Sequence, residues 1–449
     1  MPFDFSKIDT GATAWVLASA ALVLLMTPGL AFFYGGMVRA KHTLGMLMQN
    51  FMTIGIVSIV WVLVSFSLAF GKGNGFVGDL HFAGLQHLSE VLPGYTGPFA
   101  QVIPPMVFVV FQLMFAVITP ALITGSTADR WKFGHFVPFI AIWSILVYGP
   151  VAHWVFSPEG WLFKKGALDF AGGTVVHINA GAAGLAMALL LGKRRGYPKE
   201  QMRPHNVPFV LLGASLLWFG WFGFNAGSAL GANNLAAYAF VNTNTATAAA
   251  MVGWLLVEKL RDGKATTLGA ASGAVTGLVA ITPCAGFVSP LGSIAVGLLA
   301  GAICAYAILL KRKLGYDDSL DVVGVHLVGG IVGSLSVGLF STLDTNTLGA
   351  DGLFYGGGWK LMGHQLIAVG AVAGYSFVVT LIIGFGLKLF LRMRLTPDEE
   401  AEGMDLVLHG ESAYEFGNIT GGGGGLGSVG QRPESVSLGG PTAPTGVQA

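Results

Sequence analysis

The chain has 449 residues, 53% hydrophobic and 10% charged, where a soluble domain carries roughly 25% charged residues. That composition excludes an ordinary soluble fold, and a formal net charge of +1 gives nucleic acid nothing to hold. The 67 glycines, about twice the usual share, fit helices packed backbone to backbone in lipid.

Charge-free runs of about 20 residues, the length a hydrocarbon core demands, begin near 13 to 36 and recur at 44 to 70, 102 to 128, 136 to 157 and 170 to 192. The first has no basic segment before it, only Asp4, Lys7 and Asp9, so Trp15 to Tyr34 reads as a retained span and not as a signal peptide. The stretch 204 to 257 has no Asp, Glu, Lys or Arg, and its small, polar segment Asn225 to Asn234 divides it into two spans. A further run, 265 to 310, divides near Thr282 to Gly292 at its Pro and Gly residues. Runs 322 to 342 and 361 to 387 bring the expected number to eleven.

An odd number places the termini on opposite sides. With the N-terminus outside, 19 of the 24 Lys and Arg fall on the cytoplasmic side, and only Lys7, Lys72, Lys164, Lys165 and Lys360 stay outside. The positive-inside rule therefore predicts N-out, C-in.

Two frames share one spacing: Asp169, His177, Gly181, Gly184 and Asp318, His326, Gly330, Gly333. In the expected topology they are crossed in opposite directions, which predicts a five-plus-five inverted repeat with the last helix unpaired. Ile118-Thr119-Pro120 and Ile281-Thr282-Pro283 echo each other in the same pairing. Eight residues carry each histidine about 12 Å past its aspartate, near mid-membrane, where an ionisable group is costly and marks a conduction path. A single buried histidine could equally lock two helices together; two in mirrored positions favour a pore.

Around this pair the chemistry is sparse. The histidines have no HExxH motif and no third ligand at helical spacing, which disfavours zinc, and neither GxSxG nor a P-loop is present. Cys284 and Cys304 lie in apolar segments and read as small buried hydrophobes. Asp169 precedes Gly172-Gly173 and could serve as a cation receptor or, better, as an acceptor for the N–H groups of a helix start. The aromatic run Trp218 to Phe224 reads as an interfacial belt. Ser228 beyond it is a helix-end hydroxyl or, beside aromatic faces, a partner for a small cation.

The run Gly166 to Asn179, with Trp221 to Ser228, Gly324-Val325-His326, Phe111-Gln112 with Phe115, and His409 to Tyr414, resembles the ammonium transporter and Rhesus glycoprotein superfamily, on its bacterial ammonium transporter branch. The likeness covers about residues 12 to 416. It implies a homotrimer of eleven-helix subunits in the bacterial cytoplasmic membrane, each with its own pore, no cofactor and no enzymatic activity. It assigns His177 and His326 to the pore, Phe115 and Phe224 to a stacked phenyl gate, Ser228 and Phe111 to an outer recruitment site, and Asp169 to structural support of that site. The family usually places a tryptophan there; counting from Tyr148 through Pro150 and His153, the matching position is Phe156, with Trp154 two residues away on another helix face.

The expected mechanism is recruitment of ammonium, loss of its proton, and passage of ammonia past the phenyl pair along the histidines, with a proton relay as a separate route. Rivals are an ion-coupled alternating-access transporter of another small solute, which would want more polar ligands at mid-membrane, and an ammonium-sensing receptor. Residues 1–394 form the expected transport domain. The acidic segment 395–416 matches the family's cytoplasmic regulatory tail, which the resemblance connects with inter-subunit coupling and P-II nitrogen-regulatory proteins, although a solvated terminus would read the same way. Residues 417–449 are rich in Gly, Pro and Ser and read as disorder.

Overall fold

A chain that crosses hydrocarbon must satisfy its backbone N–H and C=O groups internally, and a helix does so within one segment. The computed structural model describes residues 1–414. Among them no strand forms, and 10 helices are long and apolar enough to cross a membrane. They are α1 (Thr10–Met37), α2 (Ala40–Phe70), α3 (Pro105–Thr127), α4 (Phe133–Lys165), α5 (Gly173–Leu191), α6 (Val207–Gly227), α7 (Asn234–Asp262), α9 (Pro290–Leu314), α10 (Val323–Phe340) and α11 (Lys360–Phe390). Between α7 and α9 lies the shorter apolar helix α8 (Thr267–Ile281).

Local chemistry sets the breaks. Asn233 caps α7 by accepting from Ala236 N at 3.0 Å, which accounts for the polar segment expected between the sixth and seventh runs. α8 stops before Pro283, whose ring removes a helix donor, and the chain resumes at Pro290 behind the Ser289 cap. α4 runs farther than the charge-free stretch suggests, because after a break at Ser157 to Gly160 it adds the turn Trp161–Lys165.

Close packing explains the glycine content. A Cβ on Gly213 of α6 would lie 2.2 Å from the backbone N of Phe33 in α1, and one on Gly297 of α9 would lie 2.2 Å from the Ala246 carbonyl of α7. Any side chain would force these helix pairs apart. The crossing of α5 and α10 is reciprocal: Gly181 faces Leu327, the residue after His326, while Gly330 faces Ile178, the residue after His177.

α1 and α6 run antiparallel, with Trp15 Nε1 donating to Ala226 O at one end and His205 N donating to Val38 O at the other. We call the face holding the start of α1 the first face. The opposite, second face carries a buried ionic network. Asp129 faces Arg39 at 3.1 Å and Arg194 at 3.6 Å, and Arg194 pairs with Asp317 at 2.8 Å. Burial alone would raise the Asp129 carboxyl, but His42, Arg194 and Arg39 together hold it below its ordinary range.

The acidic tail docks on this second face. A short helix, α12 (Pro397–Glu402), opens on a capping box between Thr396 and Glu399. Glu400 is buried, accepting from Arg394 at 3.0 Å and from Arg195 N at 2.6 Å. Asp405 accepts from Gly45 N at 2.9 Å, and Met404 N donates to His42 Nδ1. Through Asp405 the tail is thus a packed element and not a solvated terminus. Positions 415–416 of the expected tail and the whole of 417–449 lie outside the described residues.

Candidate functional site

Three layers follow one another inward from the first face. The outermost is a vestibule of about 180 Å³, with Gln112, Phe115, Phe156, Asp169 and Ser228 on its wall. Tyr95 and Phe99, from the connection between α2 and α3, also line it. The Ser228 hydroxyl donates to Phe224 O at 2.8 Å. Its proton is thereby committed, and its lone pairs remain to accept from a donor in the cavity.

Asp169 also reaches the vestibule, but its oxygens are occupied. They accept from Gly172 N and Gly173 N at 2.7 Å each, Thr174 N at 2.8 Å and Val175 N at 3.3 Å, and also from the Thr174 hydroxyl. A carboxylate offers about four acceptor sites, so this one is spent on the first turn of α5. Gly172 makes the fold-back feasible by adopting φ of 112°, a conformation open to glycine. Asp318 mirrors the arrangement from the second face, accepting from Val323 N at 2.8 Å, with Asp321 at φ of 64° in the place of Gly172.

The position matching the family tryptophan behaves as the helical offset requires. Phe156 faces the vestibule, edge-on to Phe115 with ring centres 6.4 Å apart. Trp154 points elsewhere, donating its Nε1 to Phe76 O at 2.7 Å and packing on Tyr375 at 4.7 Å. Phe111 stands off the cavity wall; it is fully buried and packs behind Phe115 at 5.0 Å.

Below the vestibule the rings of Phe115 and Phe224 meet with centres 4.2 Å apart, tilted by 34°. Phe115 lines the vestibule and Phe224 the cavity beneath, so the pair stands between the two. That inner cavity leaves about 10 Å³ for water centres, the room of a single molecule at most.

His177 and His326 line this inner space. Their Nδ1 atoms face each other at 3.3 Å, with ring centres 5.4 Å apart and planes within 21°. Two neutral rings so placed hold one proton between them, one nitrogen donating and the other accepting. His177 Nε2 is buried and has no partner. Met26, Leu30, Ile118, Val176 and Leu217 supply apolar walls. Both histidines sit in π-helical turns, Gly173–Ile178 and Val323–Leu327, and the extra residue in such a turn re-aims a side chain.

Trp221 also lines this inner cavity, where the belt reading does not place it. Its ring stacks on His177 at 5.4 Å and 18°, and its Nε1 donates to Thr282 Oγ1 at 2.9 Å. The signal was present: Trp221 precedes Phe224 by three residues and shares its helix face. Thr282 donates in turn to Leu278 O at 2.8 Å, which gives the Ile281-Thr282-Pro283 echo a structural task. Cys284 and Cys304 are free and buried.

With this geometry in hand, likeness to known proteins decides the family. A model described as the Ammonium Transporter Family matches residues 14–414. The chain belongs to the ammonium transporter family. It is 52% identical over 438 residues to an ammonium transporter of Mycobacterium tuberculosis, covering 92% of each chain. It is 50% identical to an ammonium transporter of Bacillus subtilis, covering 91% of this chain and 99% of the relative. Its fold is similar to the crystal structure of Candida albicans Mep2, with a TM-score of 0.81, 36% identity, and coverage of 88% of this chain and 89% of that one. Ammonium transporter family members are transporters, not enzymes, and the ten apolar helices make this one a multi-pass membrane protein.

Proposed function

We propose that the protein takes up ammonium across the bacterial cytoplasmic membrane, as eleven helices arranged N-out and C-in in an inverted repeat. The first face is then outside, and α8 serves as the short eighth span. The reciprocal contacts of Gly181 and Gly330 and the matched caps Asp169 and Asp318 support the repeat. Arg39 and Arg194 on the second face support the orientation.

Burying an unpaired ammonium ion would cost many kcal/mol, and the inner cavity has no carboxylate on its wall. The cation is therefore held in the vestibule, between the free lone pairs of Ser228 and the ring face of Phe156, with Asp169 fixing the surrounding backbone. After proton loss, ammonia passes when the Phe115–Phe224 partition opens, with Phe111 behind it. It then hydrogen-bonds along His177 and His326, and the proton follows a separate relay. The observation that carries this reading is the 3.3 Å contact of two buried imidazole nitrogens in an otherwise apolar lumen directly beneath the phenyl pair. An alternating-access carrier of another solute would want further polar ligands beside the histidines.

The family resemblance extends the proposal to a homotrimer and to a P-II partner acting on the tail at 395–416. The central test is solid-supported membrane electrophysiology on reconstituted protein. Ammonium should give a transient current in wild type that H177A and H326A, singly or together, diminish or make unselective. Wild-type current and selectivity in every variant would remove the histidine role.

A further inference from the structure

The connection between α2 and α3, residues 71–104, gathers His81, His87 and Glu90 on the first face, and one ligand atom from each lies within 4.8 Å of the other two. Glu90 serves both imidazoles, with Oε2 at 3.2 Å from His81 Nε2 and Oε1 at 3.8 Å from His87 Nδ1. The two rings stack at 4.4 Å and 14°. Two ring nitrogens and one carboxylate thus converge on a single point.

Backbone contacts hold the ligands from both sides. His81 N donates to Asp79 Oδ1 at 3.1 Å and Phe82 N to Ser67 Oγ at 2.9 Å. Beyond the cluster, Phe3 N donates to Ser89 O at 2.8 Å and Val91 N to Met1 O at 2.9 Å. His87 itself sits at φ of 59°, a left-handed conformation that is uncommon outside glycine. The side chains are 41%, 50% and 38% exposed, so an ion has an open approach and small rotations bring the ligands in.

We propose that His81, His87 and Glu90 bind one divalent transition-metal ion of the zinc class, with water at the fourth position. Two imidazole nitrogens and one carboxylate oxygen suit Zn²⁺, at bonds of about 2.0–2.2 Å. Mg²⁺ and Ca²⁺ take oxygen ligands instead. The ion closes a loop that ends five residues before Tyr95, whose hydroxyl donates to Phe156 O at 3.2 Å on the vestibule wall. A bound ion thus fixes the chain just before the residues that line the vestibule. The site is separate from the histidine pair, and its test is independent of transport.

Tag-free, chelator-treated full-length protein in detergent is titrated with Zn²⁺ by calorimetry and with Co²⁺ by visible absorption. Wild type should take up one equivalent per chain, show the intense bands of four-coordinate Co²⁺, and melt at a higher temperature with Zn²⁺. H81A/H87A should lose that equivalent, the bands and the thermal shift, while H364A keeps all three. E90Q preserves the side-chain shape and should bind at least about tenfold more weakly. Absence of a saturable equivalent in wild type, or its full retention in H81A/H87A, would overturn the proposal.

Discussion

Replacing Asp169 by Ala separates its role as a helix cap from a role as a direct cation ligand. The carboxylate accepts from four backbone N–H groups of residues 172–175 and from one hydroxyl, and each buried donor left unsatisfied costs about 1–3 kcal/mol. Water from the adjoining vestibule can reach some of these donors. If the hydroxyl and half of the four N–H groups are rehydrated, the net loss is about 2–6 kcal/mol, concentrated in the π-helical turn that holds His177. Asp169→Asn keeps one acceptor oxygen but turns an NH₂ toward the remaining donors, so it should lose a comparable amount. The assay pairs thermal unfolding of purified protein with ammonium-evoked current from the same preparation. Both variants should melt earlier and carry less current, and Thr174→Ala, which removes only the hydroxyl contact, should fall between them and wild type. A D169A protein that melts like wild type yet carries no current would refute the cap argument and make the carboxylate a ligand.

Three further outcomes follow from the geometry. Phe156→Trp restores the stronger cation–π face at the vestibule wall, and a gain of about 0.5–1 kcal/mol should lower the half-saturating ammonium concentration several-fold; unchanged affinity would count against Phe156 as a recruitment residue. Glu400→Ala strips the half-buried Arg394 and Arg195 N of their acceptor, a loss of about 1–3 kcal/mol for the donors left unsatisfied, so limited proteolysis should cut near residues 395–410 faster than in wild type. Asp318 is raised from 3.8 to about 6 by burial, followed by the opposing pull of Lys311. Its folded form therefore binds the proton more tightly than its unfolded form, and the stabilisation present below pH 3.8 is lost as pH rises through about 6, about 3 kcal/mol in all. Asp318→Asn should accordingly gain melting temperature relative to wild type between pH 4.5 and 7, while a constant difference across that range would exclude the linkage.

Much of the membrane architecture could be read directly from the residues, because partition into lipid is nearly additive along the chain. The long charge-free runs, the Asn225 to Asn234 break and the punctuation near Pro283 each act within a few residues of themselves. The helix starts observed at Thr10, Asn234 and Pro290 lie close to them, whereas the ends at Asp262 and Leu314 run past the charge-free stretches. The histidines stood out for the same reason, as ionisable groups in apolar surroundings. The displacement of Trp154 from Phe156 was a matter of helical angle alone.

Contacts between distant segments were another matter. That His177 and His326 meet at Nδ1 and that Trp221 stacks on one of them depend on how α5, α6 and α10 cross. The vestibule residues Tyr95 and Phe99 and the cluster of His81, His87 and Glu90 come from residues 71–104, which follow neither helical nor strand periodicity. Glu400 and Asp405 look solvated in a one-dimensional reading because an isolated charge prefers water. Beside the nearby Arg394, partners some 200 and 360 residues away in the chain, the N–H groups of Arg195 and Gly45, make their burial favourable. Local solvation chose the helices; which polar groups meet was decided by close packing between segments that the linear order keeps apart.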